Sequence, residues 1–202
     1  MGYKIGCVCE TNLKSLGLSH PVWGRLWSSE QYSDGVTLKK DDFVNVAFEA
    51  EFAITLNRSI DPADTSFETL VRSVEEVFPV IEIHNLVRRS AKPNGGELIA
   101  NNCIHAGVIR GAGVKVPSID LNTDLALIYD GKTVDSWNTL KWPHDILSAI
   151  GWLVEQLNEQ GIRLNADDRI LTGAFGPPIP LNDKTLVNVT SSAFGNLSAS
   201  FI

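Results

Sequence analysis

The chain has 202 residues, 44% of them hydrophobic and 20% charged, with a formal net charge of −7. That is enough apolar material for one well-cored domain, taken as residues 1–202, and it excludes a disordered chain. An acidic chain without a basic cluster is a poor partner for nucleic acid or an anionic membrane, and no run of about 18 apolar residues marks a membrane span. The first residues, Met1-Gly2-Tyr3-Lys4-Ile5-Gly6, lack the apolar stretch of a signal peptide. The odd cysteine count, Cys7, Cys9 and Cys103, argues against a disulfide framework, so a reducing, cytoplasmic setting is expected. The sequons at Asn57, Asn188 and Asn196 carry no weight in that setting.

Residues 2–9 read as a buried strand with one charge, Lys4. That lysine either lays its stem on apolar surface and keeps its ammonium in water, or holds an anionic ligand next to a carboxylate-bound metal. Residues 11–18 read as a short helix closed by Gly17, and His20 to Trp27 as an aromatic-rich turn. Asp34-Gly35 marks a turn, and a hairpin is expected between Val36–Leu38 and Phe43–Leu56. Within the second arm, Phe48-Glu49-Ala50-Glu51-Phe52 places two carboxylates at i and i+2, on one face of a strand. Two like charges on an apolar strand either face solvent or are neutralised by a hard divalent cation such as Mg²⁺ or Mn²⁺.

Thr65-Ser66-Phe67-Glu68 has the pattern of a capping box, and Phe67, Leu70, Val71, Val74 and Val77 follow at helical spacing until Pro79. Pro79 forces an extended path into Glu82, a lone acid in a second apolar run. The strand–helix–strand order brings Glu82 to the acidic pair, and Glu49, Glu51 and Glu82 are read together as ligands of one metal. Residues 88–98, basic and containing Pro93 and two glycines, form a candidate lid. Strands are expected at 106–110, at 125–129 before the Asp130-Gly131 turn, at 185–189 and at 197–202. A second helix is expected over 146–160, closed by Gly161. Before it, His144-Asp145 reads either as a dyad or as a turn with Asp145 as the helix cap.

Four stretches carry a resemblance: Gly2-Tyr3-Lys4-Ile5-Gly6, Glu49-Ala50-Glu51-Phe52-Ala53, Pro79-Val80-Ile81-Glu82-Ile83 and Ile170-Leu171-Thr172-Gly173-Ala174-Phe175-Gly176-Pro177. Together they resemble the fumarylacetoacetate hydrolase superfamily, in its 2-keto-4-pentenoate hydratase and 4-oxalocrotonate decarboxylase branch. The resemblance implies an α+β, mostly β fold, a mixed β-roll with two main helices. It implies Mg²⁺ or Mn²⁺ on Glu49, Glu51 and Glu82, an active-site lysine at Lys4, and substrate contacts at Asn102, Thr172 and Gly173. The implied activity is that of a hydro-lyase acting on a small 2-oxo acid, as in aromatic catabolism, through a metal-stabilised enolate. Decarboxylation, C–C bond hydrolysis, oxaloacetate tautomerisation and a non-catalytic structural role are the alternatives. A homo-oligomer is implied, or a hetero-complex with a related pathway enzyme.

The chain departs from the pattern around the implied site. Ser19 and Val22 stand where acids are usual, and the usual Asp-Asn-Ala-Ser-Ser loop reads Asn101-Asn102-Cys103-Ile104-His105. The usual Gly-His-Pro reads Pro143-His144-Asp145. The ligands are kept while the shell that handles water is changed, which points to a different substrate or an altered reaction. Most of the N-terminal region usual in the branch is absent from this sequence.

Overall fold

The computed structural model describes residues 2–87, 94–117 and 120–202. Its elements in chain order are strand β1 (Gly2–Gly6), helix α1 (Glu10–Leu16), β2 (Val22–Leu26), β3 (Gln31–Ser33), β4 (Val36–Leu38), β5 (Val46–Leu56), α2 (Phe67–Arg72) and β6 (Val74–Asn85). There follow α3 (Gly95–Ala100), β7 (His105–Arg110), β8 (Val114–Lys115), β9 (Leu121–Tyr129), β10 (Lys132–Trp142), α4 (Ile150–Glu159), β11 (Arg169–Leu171), β12 (Ile179–Pro180), β13 (Leu186–Ser191) and β14 (Gly195–Phe201). They form two mixed sheets. One has nine strands, with the path β2-β1-β11-β5-β6-β7-β3 and with β12 and β8 pairing β5 and β6. The other has five, in the order β10-β9-β13-β14-β4.

Alternation along β5 and β6 gives the large sheet two different faces. Phe48, Ala50, Phe52 and Ile54, with Ile81 and Ile83, turn toward the five-stranded sheet and join its Leu127, Val189 and Phe201 in the main core. The Phe48 ring lies 4.7 Å from that of Phe201 and 6.0 Å from that of Tyr129, centroid to centroid, so aromatic pairs join the sheets. The opposite face holds a separate apolar cluster of Leu26, Ala53, Phe78, Val80, Val108 and Leu171. The same face carries Glu49 and Glu51 on β5 and Glu82 on β6, because residues two apart point alike.

α4 buries Ile150, Leu153, Val154 and Leu157, an apolar stripe at helical spacing. It begins later than expected, since residues 143–149 form turns, and Gly161 follows its end at φ 69°. Gly17 closes α1 in the left-handed region, and Asp130-Gly131 makes the tight β9–β10 turn.

Two expectations are corrected. The helix expected to run through Val77 stops at Arg72, and its cap is Ser66, whose Oγ accepts from the Thr69 backbone. Glu68 bonds Arg72 instead of completing a capping box. Val74 to Val77 pair with Leu56 to Ile54, so a long antiparallel ladder overrides helical spacing in a valine-rich stretch. The hairpin from Val36 to Leu56 does not form either. β4 pairs β14 in the small sheet while β5 enters the large one. Most of the candidate lid, 88–93, lies outside the described residues. At its end, Asn94 caps α3 by accepting from the Glu97 backbone at 2.8 Å.

Candidate metal centre

The β5–β6 register places Glu49 directly across from Glu82, with Glu51 one step along the same face. Lys4 arrives from the other end of the sequence. β1 pairs β11, Lys4 lies beside Leu171, and Leu171 pairs Ala53 of β5. Gly24 on β2 leaves room for the lysine stem, since a Cβ there would stand 3.2 Å from Lys4 Cγ. The Lys4 ammonium is buried and bonds Glu82 Oε1. His105 Nδ1 reaches the same oxygen at 2.6 Å. Glu82 Oε2 is buried, and no hydrogen-bond donor among the described residues reaches it. His84, two residues beyond Glu82 on the same face, has Nε2 2.9 Å from Glu49 Oε2 and 3.6 Å from Glu82 Oε2.

These charges set one another. Burial alone would raise the Glu82 carboxyl, but Lys4, His84 and His105 outweigh it and hold it well below the usual carboxylate range. Burial pushes the Glu51 carboxyl well above that range, helped by Glu82 and Glu49. Burial would lower the Lys4 ammonium, but Glu82 first, then Cys103, Glu49 and Glu51, raise it above its ordinary value. Lys4 is therefore a fixed positive charge at neutral pH. Cys7 and Cys103 are pushed up to about 12 and about 11, chiefly by burial, so both stay thiols.

A raised carboxyl stabilises the fold fully below its unfolded value, near 4.5, and loses that contribution as pH rises through its folded value. Glu51→Gln removes this dependence. In chelator, the variant is expected to gain stability relative to the parent as pH rises above 4.5, read as urea midpoints. Parallel curves would show that Glu51 ionises freely.

The arrangement fits a divalent cation. Glu49, Glu82 and His84 each bring one donor atom within 4.8 Å of the others. An orphaned, buried carboxylate oxygen facing further acids is the environment that a cation relieves. Glu51 borders this group, where its Oε2 accepts from the Gly173 backbone N–H at 3.3 Å. Gly173 has φ 108°, and a Cβ there would stand 2.5 Å from Val8 Cγ1, so glycine is required at this contact.

The other sequence-predicted residues are placed differently. The Thr172 hydroxyl donates to the Phe52 carbonyl at 3.1 Å. Asn102 accepts from Arg25 N and donates to Arg25 O, both at 2.9 Å, which ties its loop to β2. It lines a surface hollow with Trp23 and Trp27, beside the carboxylate cavity and outside it. His144 stacks on Phe67, while Asp145 accepts from the Lys141 backbone, so the two form no dyad. Asp145 does not cap α4 either, because Ala149 holds the cap position. The sequence expectations do not include His84. The i, i+2 rule that paired Glu49 with Glu51 applies equally to Glu82 and His84. His105 enters the sequence pattern only as a departure, and its bond to Glu82 depends on the β6–β7 pairing.

A cavity of about 190 Å³ opens on the site, lined by Lys4, Glu49 and His84 together with Val22, Leu98 and Ile104. Its walls are mixed, apolar around a charged end.

No protein-family model matches the chain. A 2-keto-4-pentenoate hydratase from Paraburkholderia phymatum is 27% identical over 203 residues, which cover all of this chain and 78% of that protein. A 2-oxo-hept-4-ene-1,7-dioate hydratase from Escherichia coli is 25% identical over 212 residues, again covering all of this chain and 78% of that protein. Among solved structures, the 4-oxalocrotonate decarboxylase of Pseudomonas putida G7, complexed with magnesium and adipate, superposes with a TM-score of 0.88 at 20% identity. That match covers 100% of this chain and 77% of the other. Along its whole length the chain is similar to curated hydratases and, at 26% identity, to a 4-oxalocrotonate decarboxylase from Pseudomonas. The alignment with both hydratases runs end to end along this chain. The mixed, curled sheets agree with the β-roll expected from the superfamily resemblance. Among the described residues, no helix is long and apolar enough to cross a membrane.

Proposed function

We propose that the chain is a divalent-cation-dependent hydro-lyase acting on a small 2-oxo acid, of the 2-keto-4-pentenoate hydratase type. One observation carries this reading. Glu49 and Lys4 line one cavity, with Glu82 bonded to Lys4 and facing Glu49 across the strand pair, in a chain that aligns along its whole length with named hydratases. A divalent cation, Mg²⁺ or Mn²⁺, held by Glu49, Glu51 and Glu82 supplies Lewis-acid polarisation of the substrate's 2-oxo group.

The chain's own residues do the rest. Lys4, locked as a cation, draws the substrate carboxylate to the polar end of the cavity. Its bond to Glu82 fixes the ammonium in place before substrate arrives. The Gly173 N–H holds one Glu51 oxygen and so sets the direction of that carboxyl. Val22, Leu98 and Ile104 give the tail of the substrate an apolar lining, which suits a short alkenoate. Glu49, at 13% side-chain exposure, is more open than the fully buried Glu51 and Glu82 and marks where the site meets the cavity.

A second reading, decarboxylation, is favoured by the 0.88 TM-score to the decarboxylase and by Ile104 and His105 standing in the loop where hydroxyls are usual. An NMR assay in D₂O with 2-oxo-4-pentenoate, oxaloacetate and pyruvate separates the two. Cation-dependent hydration of 2-oxo-4-pentenoate is expected, with at least about a hundredfold loss in Glu82→Gln, the scale for removing one preorganised electrostatic group. Loss of carbon dioxide from oxaloacetate without hydration would favour the second reading. No turnover and no C3 exchange with any of the three would leave the non-catalytic alternative.

A further inference from the structure

We infer that His84 is a nitrogen donor to the cation site, and that the site therefore selects a first-row transition-metal dication such as Mn²⁺ over Mg²⁺. This rests on the cation-site reading above and adds a ligand to it. His84 sits on β6 two residues from Glu82, and Glu49 faces Glu82 across the strand pair. Its side chain is 2% exposed and borders the cavity. Around an octahedral dication with bonds of about 2.1 Å, neighbouring donors stand roughly 3 Å apart. The separations of His84 Nε2 from Glu49 Oε2 and Glu82 Oε2, 2.9 and 3.6 Å, are of that size. Glu82 Oε2 is buried, reached by no donor among the described residues, and 3.6 Å from His84 Nε2.

The chemistry of the donors then decides the metal. Carboxylates alone suit Mg²⁺, Ca²⁺ and Mn²⁺ alike, because all are hard enough for oxygen. An imidazole nitrogen adds little for Mg²⁺, which keeps its waters, and adds affinity for transition-metal dications. No hydrogen-bond donor among the described residues reaches His84 Nδ1, so the protein does not lock the ring into the tautomer whose one N–H is on Nε2.

The test uses the full chain, Mn²⁺ and Mg²⁺ alone as probes, and protein labelled with ¹⁵N at histidine. Free-Mn²⁺ EPR with Mg²⁺ competition reads selectivity, and pulsed EPR of bound Mn²⁺ reads nitrogen coupling. His84→Gln keeps a side-chain N–H toward Glu49 and removes the imidazole. The expected result is nitrogen coupling in the parent that vanishes in His84→Gln, with the Mn²⁺-over-Mg²⁺ preference falling about tenfold or more. Bound Mn²⁺ without nitrogen coupling, or coupling and preference unchanged in His84→Gln, would overturn the inference and leave the cation site standing. Failure of the parent to bind either ion would remove the site itself. The coupling is measured on the unaltered chain first, so a variant that fails to fold leaves the test decided, and His84→Asn serves as the second variant.

Discussion

Glu82→Ala is expected to destabilise the cation-free protein by about 3–5 kcal/mol, the scale for stranding one partner of a buried ion pair. Glu82 is fully buried and takes bonds from both Lys4 and His105 on one oxygen. Removing it leaves the Lys4 ammonium buried beside a void, with its nearest counter-charge gone. Urea unfolding in chelator measures the cost. Glu82→Leu combined with Lys4→Met is expected to recover most of it, because the floor of the site is already apolar, with Val80, Val108 and Leu171 on the same face. A single variant as stable as the parent would mean that the pair is solvated in the folded state.

Saturating Mn²⁺ is expected to raise the melting temperature of the parent by about 5–10 °C. A ligand at a hundredfold its dissociation constant contributes about 2.7 kcal/mol, and in a chain of this length each kcal/mol is worth roughly 2–4 °C. Glu49→Gln and Glu82→Gln should each remove most of the shift, since each withdraws a charged oxygen from the group within 4.8 Å. Differential scanning calorimetry with and without chelator reads the effect. An equal shift in the parent and in both variants would place the bound ion elsewhere on this acidic surface.

The glutamate pair on β5 was legible because its geometry is local. A strand of period two puts Glu49 and Glu51 on one face, whatever lies beside it. The same local rule would have found His84 beside Glu82. The α4 stripe, Gly17 and the Asp130-Gly131 turn were legible on the same ground. The apolar spacing of Val74 to Val77 satisfies a helix and a strand equally, and only the β5 partner separates them. β4 pairs β14 and not β5, a choice its three residues cannot reveal because they carry no register information of their own.

The amino-acid order by itself determined which side chains share a face and where helices and turns begin and end, since those follow from backbone period and from glycine's access to left-handed φ. It also placed the acids, the lysine and Gly173 in a chain that is similar to named hydratases along its whole length. Only the tertiary structure decided which of these groups meet. Lys4 reaches Glu82 because β11, more than 160 residues later, is inserted between β1 and β5. Glu49 faces Glu82 because of one antiparallel register among several that the two apolar strands allow. Pairing between distant strands is a property of the whole sheet, and no window of sequence contains it.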